Sequence, residues 1–248
     1  MKQFRFLATT LAASMSLFLF SCGSGDDEKK AEEKTTDSTS QVKPTESTPE
    51  ITTPAKLTNV VIIKHKVSNF SKWKMAYDEH DSARRANGLT SYTMGRGLKN
   101  DSNTVVIVLK SDNIIKAKEF SSSSDLKDIM KKAGVIGMPV ISYLDVVMND
   151  DSQIPQTERL MVTHKVKNWD AWKKEFDSHK QARMDAGLID RGLGHSSGDS
   201  HSVSIVFAVT DMAKAKAFIV SKDLKEKMTA AGVDGPPAFF FYTIVQKY

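Results

Sequence analysis

The sequence predicts an α+β protein built from two tandem copies of one β-α-β-β-α-β unit. Short motifs spread over the first half recur in the same order in the second half, which indicates duplication rather than low complexity. Each copy opens with alternating apolar and polar residues, as in a strand with two different faces. Apolar residues at helical spacing follow, and glycines mark the ends of the predicted helices.

The clearest repeated motif is an aromatic pair followed by a histidine and an arginine, at positions i, i+4, i+7 and i+11. The motif consists of Trp73, Tyr77, His80 and Arg84 in the first copy and Trp172, Phe176, His179 and Arg183 in the second. This spacing places the four side chains on one face of a helix. We therefore expect a mostly buried stripe that also carries two polar groups.

The other elements follow in the same order in each copy. The first strand, over residues 60–67 in the first copy, places His65 on its more apolar face, and His164 occupies the matching position. Candidate helix N-caps are Asn69 or Ser71 and Asn168 or Asp170. The second helix is expected at 114–132, with an interruption at 121–124, and at 212–230, and the last strand at 140–147 and 238–245.

This order of elements suits a ferredoxin-like sandwich, in which both helices cover one sheet face and the other face needs a partner. Four features resemble the dimeric α/β-barrel superfamily, near the antibiotic biosynthesis monooxygenase-like domains. They are the strand histidine, the Trp-x₃-aromatic-x₂-His-x₃-Arg-x₃-Gly helix, the Ala-Lys-x-Phe helix and the Gly-Val-x-Gly-x-Pro turn. The resemblance implies that the two sheets pair into a barrel, with ligand pockets between sheet and helices. The chain would then be a monomeric pseudo-dimer.

The N-terminal residues predict a targeting signal rather than a folded domain. Lys2 and Arg5 precede an apolar stretch that ends in Leu19-Phe20-Ser21-Cys22, which resembles a bacterial lipoprotein signal. The resemblance implies cleavage before Cys22, lipid on its sulfur and location at the outer membrane, facing the periplasm or the cell surface. An ordinary signal peptide with a free cysteine is the alternative.

These features divide the chain into five predicted segments. They are a signal peptide (1–21), the lipidated Cys22 with a disordered stalk (22–57), a first repeat (58–148), a linker (149–156) and a second repeat (157–248). The stalk is polar and charged with almost no large apolar residues, which is typical of disorder.

Composition argues against several functional classes. The net charge of +5 is modest and the lysines and arginines form no long basic run, so we expect no nucleic-acid partner. The single cysteine allows no intrachain disulfide. The glycines at 95, 97, 192 and 194 precede a strand rather than a helix, so they do not predict dinucleotide binding. No residue cluster predicts a metal site.

The repeated histidines, arginines and aromatic residues are the candidate site. His65 and His164 are either hydrogen-bonded core or pocket-wall residues or groups that exchange protons with a ligand. Trp73 and Trp172 are either core anchors or stacking surfaces. The predicted ligand-binding set is His65, Trp73, Tyr77, His80, Arg84, His164, Trp172, Phe176, His179 and Arg183. We expect His195 and His201, which lie in the hairpin of the second repeat, to be exposed.

Two functions fit this set. The first is a membrane-anchored lipoprotein that binds a small apolar or aromatic ligand, or an envelope partner, without catalysis. The alternative, implied by the resemblance, is a cofactor-independent monooxygenase or isomerase, with His80, Arg84, His179 and Arg183 as catalytic candidates that stabilise an enolate or phenolate. We predict no cofactor, although a haem-binding variant, with His80 or His179 as axial ligand, belongs to the same alternative.

Overall fold

The structure is a computed structural model that describes residues 57–248. The predicted signal peptide, the lipidation site Cys22 and the predicted stalk up to residue 56 lie outside the described residues. Among the helices of the described part, none is long and apolar enough to cross a membrane.

Two consecutive sets of strands and helices follow the predicted order, with each predicted helix divided into two. The first set comprises β1 (Asn59–Val67), α1 (Phe70–Glu79), α2 (Asp81–Ala86), β2 (Leu89–Gly97), β3 (Thr104–Ser111), α3 (Ile114–Ser122), α4 (Ser124–Lys132) and β4 (Val135–Asn149). The second comprises β5 (Glu158–Val166), α5 (Trp169–Ser178), α6 (Lys180–Asp185), β6 (Leu188–Ser196), β7 (Asp199–Val209), α7 (Met212–Ile219), α8 (Lys222–Ala230) and β8 (Val233–Lys247).

The helix that carries the repeated motif is broken in both repeats, so the prediction of one continuous helix is wrong. Asn69 and Asn168 are the N-caps, and their side chains accept hydrogen bonds from backbone N–H groups at 2.9 and 2.8 Å. The breaks fall at His80 and His179, where ψ is 17° and 14° instead of the helical value. A second short helix starts at the next residue and carries the arginine.

The second predicted helix is also divided in each repeat. In the first repeat the predicted interruption is confirmed at Ser123, whose hydroxyl accepts a hydrogen bond from the N–H of Leu126 at 3.2 Å and so caps α4. In the second repeat the sequence predicted no break, but Ser221 caps α8 in the same way through the N–H of Leu224.

The last strand of each repeat begins earlier than predicted, at Val135 and Val233. Gly134 and Gly232 have φ of 89° and 79°, a conformation that suits glycine, so helix and strand are separated by only two residues. These long strands pair with the first strand of their own repeat and with a strand of the other repeat.

The strands form one closed antiparallel barrel in the order β1-β3-β2-β8-β5-β7-β6-β4. Within each repeat the order is that of a ferredoxin-like sheet, β4-β1-β3-β2 and β8-β5-β7-β6. The two sheets join where β2 pairs with β8 and where β4 pairs with β6. The expectation that two tandem sheets close into a pseudo-dimeric barrel is therefore confirmed.

The alternation along each strand separates two kinds of core. One face of each sheet packs under its own helices, where Val61, Val67 and Trp73 belong to the core of the first repeat. The opposite face lies inside the barrel, where Val60, Ile62 and Met161 contribute to a core shared by both repeats. Each repeat therefore buries both faces of its sheet, and space for a ligand can arise on either side of it.

Candidate functional site

Each repeat contains a small pocket between its sheet and its helices. The pocket of the first repeat encloses about 80 Å³ and that of the second about 70 Å³. Both are lined mostly by carbon, with walls from the first strand, both helix pairs and the second and third strands. All ten predicted ligand-binding residues lie in these walls: His65, Trp73, Tyr77, His80 and Arg84 in the first pocket and His164, Trp172, Phe176, His179 and Arg183 in the second.

Four of the predicted residues of the first pocket, His65, Trp73, Tyr77 and Arg84, form a continuous row of contacts, the aromatic ladder. The rings of His65 and Trp73 have centroids 5.3 Å apart, and the rings of Trp73 and Tyr77 stack at the same distance. The guanidinium carbon of Arg84 lies 3.7 Å from the centroid of the Tyr77 ring, within cation–π range. The same ladder runs through the second pocket, with corresponding separations of 5.3, 5.2 and 3.7 Å. The helix break at each histidine therefore leaves the ladder intact.

The strand histidines are buried without protein partners. His65 is 5 % exposed and His164 is 7 % exposed, and neither ring nitrogen of either residue has a hydrogen-bond partner among the described residues. The interpretation of hydrogen-bonded core histidines is therefore wrong, while that of pocket-wall residues agrees with the geometry. Burial lowers the pKa of each imidazole to about 4, so both are neutral at pH 7. A neutral imidazole offers one donor and one acceptor to a ligand.

His80 lies at the break between α1 and α2 and is half-buried. Its Nδ1 atom is 2.7 Å from the backbone oxygen of Ala76. Because a carbonyl oxygen only accepts, Nδ1 carries the proton when the ring is neutral, and Nε2 is then the acceptor. His179 occupies the corresponding break in the second repeat.

The arginines are buried in both pockets, but their partners differ. Arg183 forms a bidentate pair with Asp190, with Nε to Oδ1 at 2.8 Å and Nη2 to Oδ2 at 2.7 Å. Arg84 has only a single contact with a carboxylate, from Nη2 to the half-exposed Asp81 at 3.2 Å, and its buried Nε has no partner among the described residues.

A serine in the first repeat explains this difference. Ser91 stands on β2 at the position that Asp190 occupies on β6, and it bonds to the Tyr77 hydroxyl at 2.6 Å. Phe176 replaces Tyr77 in the second repeat, so the hydroxyl and its partner are both absent there. The first pocket therefore holds an arginine with unused donor capacity, and the second holds one neutralised by a carboxylate.

The two remaining histidines of the described part lie outside the pockets. His201 is exposed, as predicted, and bonds to Asp199 at 2.9 Å. The prediction for His195 is wrong: it is half-buried, and its ring packs edge-on against Trp169 with centroids 4.8 Å apart. In the first repeat the same place is taken by Arg96, which lies over Phe70 at 4.2 Å.

The pockets limit the size of a ligand. Each encloses about half the volume of a cavity that admits benzene, ~150 Å³, so a ring enters only if the helices shift outward. Drug-sized ligands need roughly 300 Å³ or more, and a haem does not fit between sheet and helices in this geometry. Among residues 57–248, no group of three or more His, Cys, Asp or Glu side chains is placed to hold a metal ion.

Comparison with solved structures shows the fold. The chain superposes on an anthrone oxidase-like protein with a TM-score of 0.53 at 13 % identity, covering 78 % of this chain and 94 % of that one. It superposes on a provisionally assigned monooxygenase from Fusobacterium nucleatum with a TM-score of 0.51 at 12 % identity, covering 77 % and 94 %. The chain thus has a dimeric α/β-barrel fold, with both halves in one polypeptide. No protein-family model and no curated protein matches the sequence.

The depressed pKa values of His65 and His164 predict that stability falls in mild acid. The unfolded chain protonates these imidazoles near pH 6.5, but the folded chain does so only near pH 4, so unfolding takes up protons between the two. The free energy of unfolding should then fall by up to ~1.4 kcal/mol per pH unit for each histidine below pH 6.5, and these groups should have no effect above it. Urea unfolding measured from pH 7 down to pH 5 tests this.

The matched variants are a His65→Phe, His164→Phe double mutant and His201→Gln, which changes an exposed histidine. The double mutant should show a shallower loss of stability over this range, and His201→Gln should follow the parent chain. Equal slopes in all three proteins would contradict the assignment of neutral buried imidazoles.

Proposed function

We propose that the protein binds a small phenol-like or enol-like molecule in the pocket of the first repeat and holds it as an anion. The observation that carries this proposal is that two unsatisfied buried groups, the imidazole of His65 and Nε of Arg84, line one apolar pocket. Buried polar atoms without partners are rare in folded proteins, and a ligand that supplies the partners removes the cost of burying them.

The chemistry of the pocket walls selects the ligand. Trp73 and the aliphatic residues around it favour a flat apolar body, since stacked rings gain stability beyond simple burial. A neutral His65 can donate a hydrogen bond to the ligand oxygen, and the Arg84 guanidinium can stabilise a ligand that binds as the oxyanion. In the second repeat Asp190 already neutralises Arg183, so that pocket favours an uncharged ligand.

Entry of a ring requires a small movement of the helices. The ladder side of the pocket is fixed by Trp73, which is 3 % exposed, whereas the opposite wall includes Phe120 and Leu126 on either side of the break at Ser123. Two short helices joined at a single extended residue can shift more easily than one long helix. We therefore assign the opening of the pocket to α3 and α4.

Binding of 4-nitrophenol tests the proposal, because its phenolate is visible by absorbance. We expect the chain to bind one phenolate in the first pocket, and Arg84→Gln to weaken that binding about tenfold or more by removing a charged donor. Arg85→Gln is the matched control, because Arg85 also contacts Asp81 but is exposed. Equal binding by the two variants would place the phenolate outside this pocket.

The second repeat allows a gain-of-function test of the same idea. Asp190→Ser introduces the residue that the first repeat has at this position and releases Arg183 from its carboxylate. Calorimetric titration with 4-nitrophenol at a pH above its pKa should then show a second phenolate site per chain. An unchanged stoichiometry, with the variant folded, would mean that Arg183 and Arg84 do not act as anion-binding groups.

A second candidate function is cofactor-independent oxidation of such a ligand by O₂. The specific observation in its favour is that a neutral His65 and a buried arginine line the same apolar pocket, since a bound phenolate or enolate is electron-rich enough to react with O₂. The names of the two structural neighbours agree with this chemistry, although they establish only the fold. The negative charge of the bound anion would also strengthen His65 as a base.

Oxygen uptake in the presence of 1,4-dihydroxybenzene tests the catalytic candidate. The reaction transfers two electrons and two protons from the diphenol to O₂ and gives the quinone and hydrogen peroxide. We expect the chain to accelerate uptake, His65→Gln to abolish the acceleration and His201→Gln to retain it. Binding without acceleration would leave the protein a binding protein only.

The envelope location is a separate proposal, which rests on the sequence around Cys22. We expect the chain expressed in a bacterium to fractionate with membranes and to incorporate labelled palmitate, since several acyl chains anchor a protein stably. Cys22→Ser should move the protein to the soluble fraction, and Ser24→Ala, outside the signal, should not. Membrane fractionation that is unaffected by Cys22→Ser would exclude lipid anchoring at this residue.

A further inference from the structure

A further cavity, lined by both repeats, lies inside the barrel, separate from the two sheet–helix pockets. It encloses about 280 Å³, almost twice the ~150 Å³ of a cavity that admits benzene. An aliphatic part of its wall comes from both repeats and is formed by Val60, Ile62, Val108, Leu144 and Val206. It therefore has both the size and the surface for a small ring.

One buried arginine in this cavity lacks a negatively charged partner. Arg159 on β5 is 3 % exposed. Its Nη1 donates to the backbone oxygens of Gln156 and Glu158 at 2.8 and 2.9 Å, while Nε and Nη2 have no acceptor among the described residues. No carboxylate of the described part lies within 4.0 Å of the guanidinium. Burial of a cation without an anion is costly, and an anionic ligand would offset that cost.

The surroundings of Arg159 add a second cation and a hydroxyl. Tyr242 lies directly opposite Arg159 in the β5–β8 ladder, and burial raises the pKa of its phenol, so it stays protonated and can donate. Its ring lies against Gly95, where a Cβ atom would come within 2.3 Å of it. The pKa of Arg159 is itself lowered by burial and by the nearby charge of Arg191.

The other charges that line the cavity are already paired or lie at its mouth. Arg191 donates to the Asp150 carboxylate at 2.7 Å and to Ser152, and so holds the linker across the mouth. Asp151 bonds to the Tyr92 hydroxyl, and Lys247 lies on the same rim. The unpaired charge in the interior is therefore that of Arg159.

From this arrangement we propose that the barrel cavity is a binding site for a small aromatic monocarboxylate. The carboxylate lies on the Nε–Nη2 edge of Arg159, a planar fork that matches its two oxygens, and receives a further hydrogen bond from Tyr242. The ring packs on the aliphatic wall supplied by both repeats. The site is independent of the phenolate pocket proposed above.

Titration of the purified chain with benzoate tests the site, with uncharged benzamide as the matched probe. We expect benzoate to bind with a Kd below ~1 mM and benzamide at least about tenfold more weakly, as loss of a charge-assisted hydrogen bond predicts. Arg159→Met should weaken benzoate binding by about tenfold or more. Arg85→Gln, which changes an exposed arginine on α2, should leave it unchanged.

A second variant separates loss of the site from loss of the fold. Val60→Phe fills the cavity from the opposite wall and keeps Arg159, so it should abolish benzoate binding if the carboxylate lies inside the barrel. Circular dichroism confirms that each variant is folded. Benzoate binding that survives both Arg159→Met and Val60→Phe would overturn the proposal, as would equal affinities for benzoate and benzamide. Loss of binding in Arg84→Gln but not in Arg159→Met would place the anion in the sheet–helix pocket instead.

Discussion

The structure depends on the pairing of edge strands between the two repeats. A ferredoxin-like sheet with helices on one face exposes its other face and both of its edges, which is a liability for a protein in water. Here β2 pairs with β8 and β4 pairs with β6, so the sheets close on each other and leave no free edge within the barrel. The closure turns two open faces into one shared interior.

This closure also explains why the same strands serve two kinds of cavity. In β1, Val61 and His65 point under the helices, while Val60 and Ile62 point into the barrel. Helices that are themselves broken cover the outer pockets, whereas two hydrogen-bonded sheets enclose the inner cavity. The outer pockets therefore have one wall of short helices, and the inner cavity has walls of paired strands with a mouth bounded by the linker.

Much of this arrangement was predictable from the sequence, because it follows from periodicity and repetition. The element order, the barrel and the residues of the aromatic ladder all follow from patterns that recur in both halves. The breaks at His80 and His179 were not predictable, because no glycine or proline marks them. The early start of β4 was not predicted, because Gly137 and Pro139 are residues typical of a turn.

The polar partners were missed for a different reason. On an alternating strand, Arg159 occupies a position where a residue that faces solvent is expected. That face of the strand is buried only because the second sheet covers it. Asp190 pairs with Arg183 from another element, and the comparison of Ser91 with Asp190 gains meaning only when both are seen beside an arginine. Such pairings arise from tertiary structure, which local spacing does not encode.

The covalent link between the repeats has a consequence for how such a protein can change. In a homodimer every substitution occurs twice, so an arginine in the barrel interior would meet its own symmetry mate and the two charges would repel. In this chain Arg159 faces the interior from one repeat, and the matching position in the other is Val60. Fusion thus allows the two halves to differ in sequence. The cavity can then present a charged wall to one side of an asymmetric ligand and an aliphatic wall to the other.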